Sequence, residues 1–344
     1  MGFTPIIYQG KSLTVHKAIV SPDFNSKTIL VKNTWEYVEL WLKRNNNADA
    51  LFYWQQAKHF FDASERLPKT SSPLTAYYCF LNATKSLLIV KQIKFADRHG
   101  ITGETLEGKV SLSKEIVQLK TSGILSEFCR YLGEPANQEK YKLKELFHNL
   151  PYINRAYSLT YKSQPELFIP VLNPRFVRKD NSSESWFCAD IDKRHADGKA
   201  LRKLPTEFER DIGVSNSCLI RKKKRFSWKD NQTHKDDNIQ RLINYHRTIR
   251  KHLYYIYSPN RLWYIKRSGN INGLIERSSM TITFAAMHRL SELARYSPKS
   301  LANHFESRHN WLLSEFISTA LYQFIDEISS EITGQEFMVP GIRS

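Results

Sequence analysis

The segment that most constrains the fold is a long amphipathic stretch near the C-terminus, from Arg308 to Gly334. Its apolar residues recur every three or four positions, which predicts one helix with a single apolar face. Gly334 is the expected end, because glycine adopts the left-handed backbone that closes helices. Such a helix needs an apolar partner, and the N-terminal part of the chain is the nearest source. The face consists of Trp311, Leu312, Phe316, Ile317, Ala320, Leu321, Phe324, Ile325 and Ile328.

The N-terminal part of the chain has the same helical periodicity. Residues 34–45 and 48–67 place apolar side chains at helical spacing. Ser72 and Pro73 then supply a cap and a first-turn proline for a strongly apolar helix. We predict further short helices within residues 111–133 and 140–157.

The middle of the chain has a different composition. Residues 158–228 contain short runs of β-favouring residues separated by proline and polar turns. Residues 252–267, "HLYYIYSPNRLWYIKR", are two aromatic runs around a turn, which predicts a β-hairpin.

We therefore predict an α+β fold that is mainly helical and has three segments. An N-terminal helical bundle occupies residues 1–157, and a β-rich basic domain with a hairpin occupies residues 158–275. A C-terminal helical segment, residues 276–344, packs back on the bundle.

Positive charge is concentrated in one part of the sequence. The whole chain has 344 residues and a net charge of +17, from 51 basic and 34 acidic residues. Residues 221–275 hold fourteen Lys or Arg and three Asp, so their net charge is 14 − 3 = +11. Concentrated positive charge favours a polyanionic partner, because neutralised phosphates release counterions.

Several classes of protein are not indicated by the sequence. No apolar run approaches the roughly 20 residues of a membrane helix, and the N-terminus lacks a signal-peptide layout. The four cysteines are scattered and form no CxxC pair, so neither a disulfide framework nor a cysteine zinc site is expected. Nucleotide-binding and hydrolase motifs are missing as well. We expect a cytoplasmic protein with no membrane association and no cofactor.

The basic run "RKKKRFSWK", residues 221–229, is the predicted nucleic-acid contact. Lysines and arginines suit phosphates, and Phe226 and Trp228 can either stack on single-stranded bases or belong to the core. RNA is the favoured ligand; an acidic protein bound by a non-enzymatic scaffold is the alternative. The predicted contacts are Arg221, Lys222, Lys223, Lys224, Arg225, Lys229, Arg250 and Lys251.

The helix predicted after residue 234 offers two Arg–His pairs, Arg241 with His246 and Arg247 with His252. A metal-independent ribonuclease needs a base for the 2′-hydroxyl and a cation for the phosphate, and these residue types supply both. A five-residue offset puts the two side chains of a pair about 140° apart on a helix, so they converge only partly. A homodimer can complete such a site. The alternative is a basic helix face without catalysis.

The C-terminal segment carries polar residues that we assign to structure. His304, Glu306 and His309 lack the HExxH spacing of helical zinc sites, so we predict no metal site. Glu327 and Glu331 share a face of the last helix. Carboxylates so spaced can hold a divalent cation or pair with arginines such as Arg277, Arg289 and Arg295. We predict a polar network between helices, because buried charges require partners.

Two blocks of sequence resemble the bacterial YaaC-like family. They are "RSSMTITFAAMHRLSELARYSP" with the helix after it, and "PLTAYYCFLNATKSLL" followed by His99–Gly100. The late "WYIK", Trp263 to Lys266, is a further match. The resemblance covers most of the chain and implies little about activity.

The N-terminal block is also similar to the helical bundles of the HEPN superfamily. That resemblance implies an RNA-cutting or antiviral protein, or a non-catalytic relative of one. The HEPN nuclease motif is an arginine followed four to six residues later by histidine. This chain departs from the pattern, since residues 1–150 contain no such spacing and the Arg241 and Arg247 pairs lie beyond the β-rich segment.

Overall fold

The computed structural model describes residues 2–192, 195, 202–211, 218–229, 234–260 and 262–338. Its helices are α1 (Thr34–Arg44), α2 (Ala48–Arg66), α3 (Ser72–Val90), α4 (Ile124–Tyr131), α5 (Leu143–His148), α6 (Asn154–Thr160), α7 (Lys235–Arg250), α8 (Ser279–Tyr296), α9 (Pro298–Phe305) and α10 (Asn310–Thr333). Its strands are β1 (Phe3–Pro5), β2 (Ile7–Tyr8), β3 (Lys11–Ser12), β4 (Ile29–Leu30), β5 (Ile101–Thr105), β6 (Glu115–Leu119), β7 (Lys140–Lys142), β8 (Phe168–Lys179), β9 (Glu184–Ile191), β10 (Phe208–Arg210), β11 (Cys218–Lys222), β12 (Phe226–Ser227), β13 (Leu253–Ile256), β14 (Leu262–Lys266) and β15 (Phe337–Met338). None of the described helices is both long and apolar enough to cross a membrane.

The chain divides into two compact units. The sheet unit comprises Met1–Thr28 and Leu167–Asn272, and the helical unit comprises Ile29–Glu166 and Gly273–Ser344. The predicted segments had other limits, at residues 157 and 275. The C-terminal helices fall in the same unit as the N-terminal ones, because their apolar faces pack on each other.

The sheet unit is built on an antiparallel sheet with strand order β10-β11-β9-β8-β14-β13, to which β1 adds beside β8 and β12 beside β9. Helix α7 lies on one face. Its apolar residues Leu242 and Ile249 are spaced by two turns and are fully buried in one cluster with Phe176 and Phe187 of the sheet. This cluster is the core of the unit.

The predicted hairpin is present as β13 and β14. Tyr254 lies opposite Tyr264, and Tyr255 lies opposite Trp263. Tyr255 and Trp263 are buried in the same core cluster as α7, their ring centroids 5.4 Å apart. The aromatic residues of the hairpin therefore stabilise the sheet through cross-strand packing.

The first 28 residues belong to the sheet unit, although we predicted residues 1–157 as one helical domain. Strand β1 pairs with β8, with Thr4 opposite Arg178. Leu13 and Val15 are buried in the core under the sheet. These extended pieces are two or three residues long, too short to show an alternating pattern in the sequence.

Helix α3 is the centre of the helical unit and contacts α2, α4, α8 and α10. Phe80 of α3 stacks on Phe324 of α10 with ring centroids 4.2 Å apart. Tyr77 of α3 meets Phe284 of α8 at 5.5 Å. The prediction of an α+β fold whose C-terminal helices pack back on the N-terminal bundle is confirmed.

Part of the segment predicted as helix between residues 111 and 133 is a strand. Glu115–Leu119 forms β6, the middle strand between β5 and β7. Ile116 and Val117 are β-branched and buried, which suits a central strand. The side chain of Glu115 is buried as well, bonded to two basic residues of the C-terminal helices. Contacts with residues far away in the sequence therefore favour the strand, and the local sequence does not reveal them.

Helix α8 begins at a clamp around Arg277, whose side chain is 3% exposed. Its guanidinium donates to Tyr141 Oη at 3.0 Å and to the Pro135 carbonyl at 2.9 Å. It also pairs with Glu139 at 2.9 Å and with Glu134 at 3.4 Å. Arg277, which we had considered as a partner for the last helix, thus fixes the start of α8 to the 134–141 segment.

Candidate functional site

The basic run lies on the sheet unit, where β11 ends and a turn leads to β12. Lys223 and Lys224 are exposed in this turn, whereas the side chain of Lys222 points inward. Its ammonium lies 5.2 Å from the ring centroid of Phe208 and donates to the Thr248 carbonyl at 3.4 Å. Tyr245 of α7 donates to the Lys224 carbonyl at 2.9 Å, which ties the turn to the helix.

The two arginines of the run, one on each side of its three consecutive lysines, are neutralised by carboxylates. Arg221 pairs with Glu209 at 2.8 Å and with Asp211 at 3.4 Å. Arg225 pairs with Glu184 at 3.3 Å and covers the ring of Trp186 at 4.6 Å. Half of the predicted basic run is therefore committed to the protein's own surface.

The C-terminal end of α7 supplies further cations, with different exposure. Arg250 is buried and donates to the carbonyls of Lys17, at 3.0 Å, and of Leu253. Lys251 is exposed, as is Lys229 beyond β12. Both carbonyls lie outside α7, so the buried guanidinium has a structural role: it joins the end of the helix to the segment around Lys17 and to β13.

Three of the exposed lysines form a patch. Lys222, two residues before Lys224, donates to the carbonyl of Thr248, three residues before Lys251, so the turn and the end of α7 lie side by side. Burial lowers the pKa of Lys222, and the charges of Lys224 and Lys251 lower it further. Lys223 adjoins Lys224 in the same turn. None of the three exposed lysines forms an ion pair with a described residue. We call Lys223, Lys224 and Lys251 the lysine patch.

The structure does not bring the first Arg–His pair together. His246 is fully buried, and its Nε2 lies 3.1 Å from the His16 amide nitrogen and 3.2 Å from the His16 carbonyl. Burial holds the pKa of His246 well below its usual range. Arg241 instead donates to the Ser227 carbonyl at 3.1 Å and to Asn238 at 3.0 Å. A buried histidine with a saturated Nε2 has no access to a substrate hydroxyl.

The second pair is also separated by its contacts. Arg247 is exposed and donates to the Val20 carbonyl at 2.9 Å. His252 is half-buried, with its Nε2 3.4 Å from a Glu207 carboxylate oxygen and its ring against Phe208. This geometry gives no support to a ribonuclease built on Arg247 and His252.

The described aromatic rings of the region are buried or half-buried. Trp228, Tyr254, Tyr255 and Trp263 are all buried, and Phe226 is half-buried, 4.6 Å from Tyr245. Bases cannot stack on rings that already fill the protein interior. Among the residues that the structure describes, the site offers lysines to phosphates and no exposed ring to bases.

A second polar cluster, in the helical unit, could not be assembled from the sequence. Tyr77 of α3 touches both His99, at 5.3 Å between ring centroids, and His288 of α8, at 4.9 Å. Glu292, one turn after His288, has a carboxylate oxygen 3.8 Å from His288 Nδ1. The Tyr77 hydroxyl and His288 Nδ1 are buried without a hydrogen-bond partner. We call these four residues the histidine cluster.

Burial and neighbouring charges keep the two histidines of the cluster neutral. The pKa of His288 is lowered to about 3, mainly by burial and further by His99 and Arg289. The pKa of His99, which is half-exposed, is also lowered, by burial and by Lys85. Two neutral imidazoles and a phenol can exchange hydrogen bonds at neutral pH without carrying charge.

Glycines hold the histidine cluster in place. Gly100 has a φ of +78°, and a Cβ on Gly123 would lie 2.6 Å from the Gly100 nitrogen. The loop that presents His99 therefore packs backbone against backbone. At Gly103 a Cβ would lie 2.6 Å from Arg289 Cδ, and the Gly103 amide donates to Glu292 at 3.2 Å.

Behind the cluster lies a network of buried charges. Arg289 joins Glu292, at 2.9 Å, to Glu115, at 2.7 Å, and Glu115 also accepts from His304 at 3.1 Å. On α10, Glu327 accepts from the Ser279 hydroxyl at 3.1 Å. A polar network between helices, as predicted, is thus present.

A metal site is not preformed in the described residues: no three His, Cys, Asp or Glu side chains are arranged to hold an ion. His304 and His309 do lie together, with ring centroids 5.7 Å apart, but Glu306 is exposed beside them.

The members of the histidine cluster were visible in the sequence only as separate features. His288 and Glu292 are one helical turn apart, and His99–Gly100 is a distant pair. Only the packing of α3, α8 and the 97–100 loop joins them.

Comparison with known proteins gives the family but no nearer relative. No curated protein and no solved structure matches the chain. The family model described as "YaaC-like Protein" matches residues 16–332, nearly the whole chain. Tyr77, His99, His288 and the lysine patch all lie within the matched range. The HEPN resemblance stays a prediction. The chain belongs to the YaaC-like family.

Proposed function

We propose that the protein binds nucleic acid, with RNA favoured, by contacting phosphates through the lysine patch. The observation that carries the proposal is the patch itself: Lys223, Lys224 and Lys251 are exposed and unpaired among the described residues. They lie in the segment that holds +11 of the chain's net charge of +17. Phosphate contacts of this kind supply affinity without reading sequence.

The buried rings define the mode of binding that we propose. A surface that stacks bases would leave aromatic faces open, and here Trp228, Tyr255 and Trp263 are buried. We therefore expect weak dependence on base sequence and strong dependence on salt. The paired arginines Arg221 and Arg225 contribute little, because each would have to release a carboxylate.

The test is fluorescence anisotropy with a labelled single-stranded RNA. A triple variant Lys223→Glu/Lys224→Glu/Lys251→Glu is compared with a control triple Lys94→Glu/Lys109→Glu/Lys299→Glu. The control changes the net charge equally, at exposed lysines of the helical unit. We expect the patch variant to lose binding at about 50 mM salt and the control to retain most of it. Equal losses in the two variants would refute a specific role for the patch.

An acidic protein bound by the same lysines is the second candidate. It is favoured by the absence of a ring platform among the described aromatic residues, since lysines alone also suit carboxylates. A polyglutamate that competes with RNA, and binds more tightly than RNA at equal charge, supports this candidate. We place either activity in the cytoplasm. The antiviral role remains an expectation from the HEPN resemblance, and the homodimer remains an expectation from the spacing of the Arg–His pairs.

A further inference from the structure

Two basic side chains of the helical unit lie against one tyrosine without a carboxylate partner. The ammonium of Lys144, on α5, is 4.6 Å from the ring centroid of Tyr161, just after α6. The guanidinium carbon of Arg308, between α9 and α10, is 5.1 Å from the same centroid. Neither forms an ion pair with a described residue. Two like charges are therefore held near one ring, and a bound anion would relieve their repulsion.

Two buried polar atoms at the same place have no hydrogen-bond partner. They are the hydroxyl of Tyr161 and Nε2 of His309, and both residues are more than nine-tenths buried. The hydroxyl is a donor, since burial raises the pKa of Tyr161 to about 12. The rings of Tyr161 and His309 lie 6.0 Å apart. Buried polar atoms without partners are uncommon in folded proteins, and a bound ion is one explanation for them.

The tautomer of His309 follows from its hydrogen bonds. The hydroxyl of Ser307 donates its single proton to the His304 carbonyl, at 2.7 Å. It must then accept from His309 Nδ1, which lies 2.8 Å away. Nδ1 therefore carries the proton and Nε2 presents a lone pair. Burial, with the nearby His304 and Arg308, lowers the pKa of His309 to about 4, so the ring is neutral at pH 7.

The donors and the lone pair together specify a ligand. Arg308, Lys144 and the Tyr161 hydroxyl suit the oxygens of an anion, while His309 Nε2 suits a proton on that anion. His309 also immediately precedes α10, whose 24 residues direct a positive dipole end toward this place. A metal cation fits poorly, because the charges and the dipole here are positive.

We propose that Lys144, Tyr161, Arg308 and His309 bind a phosphate group that keeps one proton, as inorganic phosphate or as a phosphate monoester. The phosphate oxygens accept from Tyr161, Arg308 and Lys144, and the P–O–H donates to His309 Nε2. Arg308 is exposed and marks the side of entry. The site lies in the helical unit and shares no residue with the lysine patch, so it is independent of the proposed nucleic-acid binding.

The ligand's proton makes the proposal specific. Sulfate has the same shape but no proton near neutral pH, so its oxygen would meet the lone pair of His309. A phosphate monoester has a second pKa near 6, and its protonated fraction rises as the pH falls. The charged or titratable groups around His309 are His304, Arg308 and Tyr161, with Lys144 beyond the tyrosine and Glu115 bonded to His304. Phosphate should therefore bind more tightly at pH 6 than at pH 8, and much more tightly than sulfate.

Isothermal titration calorimetry of the full chain tests the site, with inorganic phosphate as the probe and sulfate at equal ionic strength as the comparison. Arg308→Gln and Tyr161→Phe each remove one donor, and we expect either to weaken phosphate binding by about 10- to 100-fold. The matched control is Arg295→Gln, because Arg295 is also exposed and lies 4.9 Å from a tyrosine ring, that of Tyr296. This control should bind phosphate as the wild type does.

Adenosine monophosphate in the same assay distinguishes the two sources of the phosphate group. Tighter binding of the nucleotide indicates a monoester ligand, and tighter binding of inorganic phosphate indicates the free ion. Either result supports the site if Arg308→Gln weakens the binding of that ligand. Three results would overturn it: no phosphate binding, equal binding of sulfate, or full affinity in Arg308→Gln. The RNA affinity of the lysine patch variants does not bear on these outcomes.

Discussion

Replacement of Arg277 by methionine is the sharpest test of the packing described above. The guanidinium is 3% exposed and makes hydrogen bonds to Tyr141, Pro135, Asn137 and Glu139, each between 2.9 and 3.0 Å. Methionine keeps most of the aliphatic length but removes every one of these donors. The carboxylate of Glu134, 9% exposed, then loses its cationic partner.

The expected loss of stability follows from the cost of a buried charge whose partner has been removed. Breaking such a pair typically costs about 3–5 kcal/mol of the free energy of unfolding. For a unit of this size each kcal/mol lowers Tm by about 2–4 °C, so Arg277→Met should lower Tm by about 6–20 °C. Differential scanning calorimetry and urea unfolding measure both quantities. Arg295→Met, at an exposed arginine, is the control and should change stability by less than about 0.5 kcal/mol.

The pH dependence of the stability of Arg277→Met gives an independent check on why this variant is destabilised. The pKa of Glu134 is already raised by burial, and Arg277 opposes that rise. Without Arg277 the pKa rises further, so the folded variant binds a proton that the unfolded chain has released. Stability of the variant then falls as the pH rises above the unfolded value, and the deficit shrinks near pH 5. A destabilisation below about 1 kcal/mol, or one unaffected by pH, would refute this reasoning.

Two further predictions concern the histidine cluster. Gly103→Ala should destabilise the protein by about 1–3 kcal/mol in urea unfolding, because the new Cβ meets Arg289 and Glu292; no measurable loss would contradict the packing. His288 has a pKa near 3 in the fold, against 6.5 for the free side chain, so the unfolded chain binds its proton first. Between about pH 6 and pH 4 this residue should cost about 1.4 kcal/mol of stability per pH unit, and His288→Gln should flatten that slope. Equal slopes in the two proteins would show that His288 takes up its proton in the fold.

Much of the fold could be predicted because helices leave a periodic pattern in the local sequence. The apolar stripe of residues 311–328 and the apolar helix after Pro73 each predicted a buried element, and Phe80 does stack on Phe324. The aromatic hairpin was equally clear, since strands of four and five residues frame a short turn. Long periodic segments carry their own signal in the sequence.

The errors and omissions come from contacts between distant residues. Strand β6 was predicted as helix because Glu115 finds its partners, Arg289 and His304, about 170 residues or more away along the chain. The histidine cluster was missed for the same reason, as His99 and His288 meet only after α3 and α8 pack. For the basic run, the sequence gives the number of positive charges but not their partners. The structure shows that Arg221 and Arg225 are already paired with carboxylates.

The salt dependence of RNA binding tests the central proposal most directly. Each lysine that neutralises a phosphate of single-stranded RNA contributes about 0.7 to the slope of log K against log salt. Titrations between about 50 and 200 mM salt should therefore give the Lys223→Glu/Lys224→Glu/Lys251→Glu variant a slope smaller by about 2 than that of the wild type. A slope identical to the wild type, with unchanged affinity at low salt, would contradict binding through the lysine patch.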